Sequence, residues 1–340
     1  GRIESLFEPS IDPLESVTML PTNLVKLMLI MCSLLLSAYS MAQDQPPIKQ
    51  HVTLKLGKQG EDCFRQSHGI KDKHTSPRDL KDFNELDWST PPYGQVTVEH
   101  AGRKILFPYT EYAFGSFWPR FSEDGISGLD LRSGISEHEF IRHQEAWERW
   151  QALLKHFLDN GWQFYIHESL PRVSGAELYR YSMSDQTTLP VIDPRYELSY
   201  AQWQELLNER MSTTSAKFYR NGVYMSFLLI RNDSAESLFV ERKLDLNPDE
   251  WGQYTISTRF DTARSIERLV VLSSLPKNDD DTETELKIRQ NLPLYWQERK
   301  QRYAKEREQS EQKLIQQGYK IDTSYQDPDI SPYLQSKPVF

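Results

Sequence analysis

Residues 136–166 read SEHEFIRHQEAWERWQALLKHFLDNGWQFYI, and the parsing of this stretch decides the fold. Ser136-Glu137-His138-Glu139 has the spacing of a capping box, with Ser136 accepting from the third helical amide and Glu139 reaching back, so a helix is expected to begin there. Phe140, Trp147, Trp150, Leu154, Phe157 and Leu158 then recur at the steps of a helix with one apolar face. Gly161 follows Asp159-Asn160 and tolerates the left-handed backbone that ends a helix. Trp162-Gln163-Phe164-Tyr165-Ile166 reads as a strand. The punctuation returns near the C-terminus, where Leu314-Ile315-Gln316-Gln317-Gly318-Tyr319-Lys320-Ile321 repeats the order apolar, apolar, any, any, glycine, aromatic, any, apolar of residues 157–164. Two related halves are expected.

With 340 residues, 38% hydrophobic and 12% aromatic, the chain is long enough for two domains and apolar enough to build cores. Residues 27–38 form an apolar run of 12 residues behind Lys26. A membrane-spanning helix needs about 20, and the shorter run fits the central region of a secretory signal peptide. Ala38-Tyr39-Ser40 and Ser40-Met41-Ala42 place small residues where a signal peptidase cuts. Export to the periplasm is therefore expected, with a mature chain from Met41 or Gln43 and no stable membrane insertion; residues 1–18 read as an upstream extension. Cys32 lies inside the apolar run rather than just after it, unlike a lipoprotein cysteine, and Cys63 alone cannot form an intramolecular disulfide. The formal net charge is −9, and residues 1–42 carry two cations and four carboxylates, which leaves −7. Such an acidic chain is a poor ligand for phosphate backbones, which sets nucleic acid aside.

Along the chain, residues 51–56 alternate as a strand, and residues 95–99 and 103–107 flank His100-Ala101-Gly102 as a hairpin. Ser174 and Glu177 offer a second capping box for a short helix to Tyr181. Ser199 and Gln202 offer a third, with Leu198 and Trp203 as a hydrophobic staple and a helix to about Met211. Asn221-Gly222 is the strongest hairpin turn in the chain. Residues 237–246 and 253–260 read as further strands, residues 279–281 as an acidic loop, and residues 293–317 as a long helix whose interleaved charges, Arg299, Arg307 and Glu311 among them, read as a solvated surface. The expected fold is α+β, with two similar units, each an antiparallel sheet carrying a long packed helix. The divisions are a leader at 1–42, a first unit at 43–181, a linker at 182–197, a second unit at 198–325 and a tail at 326–340.

No motif names a chemistry. His138 and His143 are five apart, about 140° around a helix rather than on one face, so no metal is expected there. Cys63 and His68 lack a nucleophile frame, and Asp279-Asp280-Asp281 with Glu283 and Glu285 lacks the spacing of a calcium loop. Gly125-Ile126-Ser127-Gly128 is not a nucleophile elbow, and no glycine-rich phosphate loop is present. No cofactor and no enzymatic activity are expected. The alternative is an exported hydrolase using paired carboxylates, because 49 acidic residues can form a pair that spacing along the chain does not reveal. The aromatic segment 107–121 carries the binding reading: Tyr109, Tyr112, Phe117 and Trp118 are the candidate partner-binding residues, against the competing reading that most of these rings are core.

Gly161-Trp162, Pro171-Arg172-Val173-Ser174-Gly175 and Ile192-Asp193-Pro194-Arg195-Tyr196-Glu197-Leu198-Ser199-Tyr200-Ala201-Gln202-Trp203 resemble stretches of exported immunity proteins of bacterial type VI secretion systems. The resemblance implies a non-enzymatic inhibitor that binds and occludes a protein partner, a secreted effector, in the periplasm. It carries over no functional residue.

Overall fold

Alternating apolar and polar residues make the strands, and glycine or proline ends them, in the computed structural model, which describes residues 46–72, 82–184, 189–209, 212–274 and 281–335. Contacts separate Gly1–Pro47 from Ile48–Phe340, and the fold belongs to the second segment. The expected leader and its cleavage sites lie outside the described residues, as do residues 279 and 280 of the acidic loop. The first part of the fold comprises β1 (His51–Lys55), α1 (Gly60–Gln66), β2 (Ile70–Asp72), β3 (Asp82–Asp87), β4 (Gly94–His100), β5 (Arg103–Phe117), β6 (Gly128–Gly134), β7 (Ile141–Arg142), α2 (His143–Asp159) and β8 (Gln163–Phe164). There follow α3 (Gly175–Ser182), α4 (Tyr200–Glu209), β9 (Thr213–Arg220), β10 (Val223–Arg231), α5 (Ala235–Glu241), β11 (Trp251–Gly252), β12 (Tyr254–Thr262), α6 (Ala263–Ser274) and α7 (Asp281–Gln316).

The α+β class is as read, but the two expected sheets are one. Its main path is β1-β4-β5-β6-β12-β10-β9-β8, with β3 added against β5 and β2 against β3, ten strands in all. The meander β4-β5-β6 meets the meander β12-β10-β9 where β6 pairs antiparallel with β12, Leu131 opposite Thr258. Each meander by itself would leave a long edge of unpaired amides and carbonyls, and the junction removes both edges at once. The helices do not follow this mirrored strand order. Trp150, Leu154 and Phe157 of α2 pack on Phe218, Met225 and Phe227, whereas Ile288, Leu292 and Trp296 of α7 pack near Tyr219 and Tyr224. Successive strand residues point to opposite faces, so α2 and α7 lie on opposite sides of the sheet.

Both glycine-marked helix ends close with the same bonds. The Gly161 amide donates to the Leu158 carbonyl at 2.9 Å and Trp162 to Phe157 at 3.1 Å; Gly318 donates to Ile315 at 3.0 Å and Tyr319 to Leu314 at 3.0 Å. With φ of 79° at Gly161 and 82° at Gly318, these are paired Schellman ends that need a residue without Cβ. Asn221 and Gly222 both have positive φ, 42° and 79°, as the hairpin joining β9 to β10 requires. The Ser199 box also forms, since the Ser199 amide donates to Gln202 Oε1 at 3.0 Å and the Gln202 amide to Ser199 Oγ at 3.2 Å.

Other expectations are corrected. The helix begins at His143, not Ser136, because the Ser136 hydroxyl turns back on the His138 backbone and Glu139 accepts from Arg242 at 2.7 Å and Gln253 at 3.0 Å. The Ser174 hydroxyl donates to Asp322 at 2.8 Å instead of capping, and Asp193 takes the Gly175 amide at 3.0 Å. Residues 235–241 are helical rather than a strand, and Phe239 is buried edge-on to Phe140, centroids 4.9 Å apart. The stretch read as linker contributes Ile192 to the core and a bridge from Val191 to Ser215, and the stretch read as tail buries Ile330 and Leu334. On α7, Arg299, Arg307 and Glu311 are buried rather than solvated. Arg307 donates to the carbonyls of Leu170 at 2.8 Å and His167 at 2.9 Å, which ties the long helix to the loop after β8.

His100 is one buried group whose titration couples this fold to pH. Its Nε2 lies 3.0 Å from the Arg220 carbonyl and 3.1 Å from that of Asn221, so the proton sits there. Burial pushes its pKa down more strongly than those carbonyls raise it. A histidine held below its unfolded value of 6.5 contributes stability that is present above that pH and lost as pH falls through it. The stability difference between the parent and His100→Gln should therefore narrow from about pH 7.5 to about pH 5.5, read by urea unfolding. A gap that is constant or widens would contradict this account of His100.

Candidate binding site

The face of the sheet turned away from α2 leaves a broad part of its surface open. Two ladders of side chains cross it in register. One runs Lys217, Ser226, Arg259, Asp130, Phe114, Glu85 through β9, β10, β12, β6, β5 and β3. The next runs Ser215, Leu228, Ser257, Arg132, Tyr112, Asp87 through the same strands. Ser226, Ser257, Arg259 and Arg132 are exposed, and Leu228, Tyr112 and Phe114 are half-buried. An antiparallel sheet can keep one face wet in this way while the other carries the core.

The surface alternates in charge and carries an aromatic cluster. Arg259 donates to both oxygens of Asp261, at 2.7 and 3.1 Å, and reaches Asp130 at 3.4 Å; the Asp261 hydrogen bonds are the main force raising its pKa. Arg132 lies 3.4 Å from Glu111. The rings of Phe83 and Phe114 lie 4.5 Å apart and those of Tyr112 and Phe114 5.8 Å apart. Burial, then the carboxylates of Glu85, Asp130 and Asp87, push the Tyr112 hydroxyl up, so it stays protonated as a hydrogen-bond donor.

At one end of this face a polar cleft of about 710 Å3 opens between the sheet and the loop after β6, lined among others by Tyr93, Glu111, Arg132, Glu139, Arg231 and Gln253. Burial, then Glu111 and Glu139, raise the Tyr93 hydroxyl. Glu139 is bound by Arg242 and Gln253, and Arg231 donates to Asn208 at 2.9 Å.

The structure separates the four rings singled out from sequence. Tyr112 lies on the open face. Tyr109 is half-buried on the α2 side, 3.5 Å from Arg149. Phe117 and Trp118 are interior, at 7% and 2% exposure, with Trp118 Nε1 donating to Ser265 at 3.1 Å, so neither ring is presented by the free protein. Phe83, Phe114, Arg132 and Arg259 were missed. The period-two alternation of residues 129–132 and 255–260 marks their outward set, but the pairing that assembles it is not local.

Among the described residues no cluster of His, Cys, Asp and Glu is arranged to hold a metal, and no helix is long and apolar enough to cross a membrane. His143 instead bonds the Tyr254 hydroxyl at 2.6 Å and the Pro248 carbonyl at 2.8 Å. Cys63 is half-buried, and burial raises its thiol, which lowers its thiolate fraction. Comparison of the chain with protein-family models, with curated proteins and with solved structures finds no match.

Proposed function

We propose that this chain is a non-enzymatic binding protein, exported to the periplasm, that holds a protein partner against the open face of its sheet. The observation that carries the reading is the pair of six-residue ladders, which set tyrosine, phenylalanine and leucine among arginine, aspartate and serine on one rigid surface. Aromatic and arginine side chains are the groups that anchor protein interfaces, and mixed charges fix a partner's orientation. Export rests on the apolar run at 27–38 and the small residues behind it. The further step, that the partner is a secreted effector and the chain its immunity protein, rests on the resemblance of residues 161–203.

Affinity capture from a periplasmic extract, with the protein encoded beside this one as first candidate, tests the reading. Tyr112→Ala should weaken the captured partner by about 2 kcal/mol or more and leave the unfolding midpoint unchanged. Binding that survives this substitution places the partner elsewhere. A second reading, a hydrolase using paired carboxylates, is favoured by one observation: Glu111 and Glu139 line the same cleft. Each already has an arginine partner, Arg132 and Arg242 respectively, which supports a binding role over an acid and base pair.

A further inference from the structure

A second cavity, of about 390 Å3, lies beside the β9 edge of the sheet, between α3 and the segment after β8. Its size falls in the range of small-ligand sites, about 300–1,000 Å3. The walls are apolar: Phe164, Ile166, Val173 and Leu178 are buried in one cluster, and Leu170 stands at the rim, 49% exposed.

One cation borders this apolar space. Ala216 and Phe218 of β9 belong to the main core, so the pleat turns Lys217, between them, to the opposite face, where it lines the cavity. Its ammonium has no ion pair or hydrogen bond among the described residues, and it is not sealed from solvent. Burial lowers its pKa, and among the described residues no carboxylate offsets the effect. The other basic group in the wall, His167, is held to Ser169 at 2.9 Å, and its pKa is lowered first by burial and then by Lys217 and Arg307, which keeps it neutral.

We propose that this cavity binds an aliphatic monocarboxylate, a medium-chain fatty acid, with its chain among Phe164, Val173 and Leu178 and its carboxylate on the Lys217 ammonium. The charge balance selects this class. A neutral apolar ligand would complete the desolvation of the ammonium and give it no counter-charge. A phosphate dianion would leave a net negative charge against an apolar wall. A single carboxylate cancels the charge and accepts the ammonium hydrogens, while the chain displaces water from the apolar walls.

Calorimetric titration of the full chain with laurate, below its micelle concentration, should give one saturable site, and dodecanol should bind at least about tenfold more weakly. Lys217→Met should lower laurate affinity by about tenfold or more and abolish the preference for the acid, whereas Lys217→Arg should retain it. Leu170→Glu, at the exposed rim, gives an independent check if Lys217→Met fails to fold, and it should also weaken laurate through like-charge repulsion. No saturable laurate binding, equal binding of the acid and the alcohol, or laurate binding indifferent to both Lys217→Met and Leu170→Glu would overturn the proposal. Loss of laurate binding in Leu170→Glu, a residue outside both ladders, with partner capture intact separates this site from the open sheet face.

Discussion

Asp124→Ala is expected to destabilise the fold by about 3–5 kcal/mol, the cost of leaving a buried guanidinium with only the more distant Glu123, 3.7 Å away, as counter-ion. Asp124 ends the turn at Pro119–Asp124, where it accepts from Arg268 of α6 and lies 3.4 Å from Arg264. The side chain of Arg268 is 1% exposed and that of Asp124 8%. Arg268 also lies over the Phe121 ring at 3.8 Å, so the guanidinium is fixed by packing as well as by charge. Burial is the first cause of both shifts, raising the Asp124 carboxyl and lowering Arg268 to about 10. Desolvation outweighs attraction for each partner, so the intact pair adds little while a broken one is costly. Asp124→Ala with Arg268→Met should be more stable than Asp124→Ala alone, measured by denaturant unfolding of the parent, both singles and the double variant. A loss below about 1 kcal/mol for Asp124→Ala would show that water reaches Arg268.

Phe157→Ala should cost about 3–5 kcal/mol by the same measurement, through lost apolar burial and the cavity left behind. Phe157 is 0% exposed and is the ring on which α2 meets both meanders: its centroid is 5.7 Å from Phe107 of β5, 5.6 Å from Phe218 of β9 and 5.1 Å from Phe227 of β10. Both meanders and the helix surround the void, so collapse at one wall opens another. Phe157→Leu should recover most of the loss because it keeps most of the side-chain volume. A change within about 0.5 kcal/mol for alanine would mean that the halves do not share this core.

These two positions differ in how readable they were. Phe157 sits on the apolar stripe of α2 and one turn before Gly161, so local periodicity placed it in a core, and the Schellman bonds at Gly161 and Gly318 follow from the same short signal. The Asn221-Gly222 turn and the Ser199-Gln202 box were legible for the same reason, since all their partners lie within a few residues. Asp124 carried no such signal, because Arg268 is 144 residues away. Distant partners also explain the misplaced helix start, where Glu139 is taken by Arg242, and the merging of two sheets through β6 and β12. The binding face was half legible. Tyr109 and Tyr112 are three residues apart on β5, an odd step that sends Tyr112 to the open face and Tyr109 to the helix side, and the register shift between Thr110 and Tyr112 is set by pairing with a distant strand. Beyond this shift the chain leaves the strand and turns Trp118 into the interior.

Capture of the partner by a chain carrying Ser257→Trp tests the central claim most directly. Ser257 is exposed in the middle of the open face, opposite Arg132 on one side and Leu228 on the other, so an indole there blocks docking without entering the core. The matched control is Lys155→Trp on α2, whose side chain is 74% exposed on the helix-covered side of the sheet. Docking on the open face predicts that Ser257→Trp weakens the complex by at least about tenfold while Lys155→Trp binds as the parent does. Equal binding by Ser257→Trp and the parent, or a parent chain that retains no periplasmic protein at all, would contradict it.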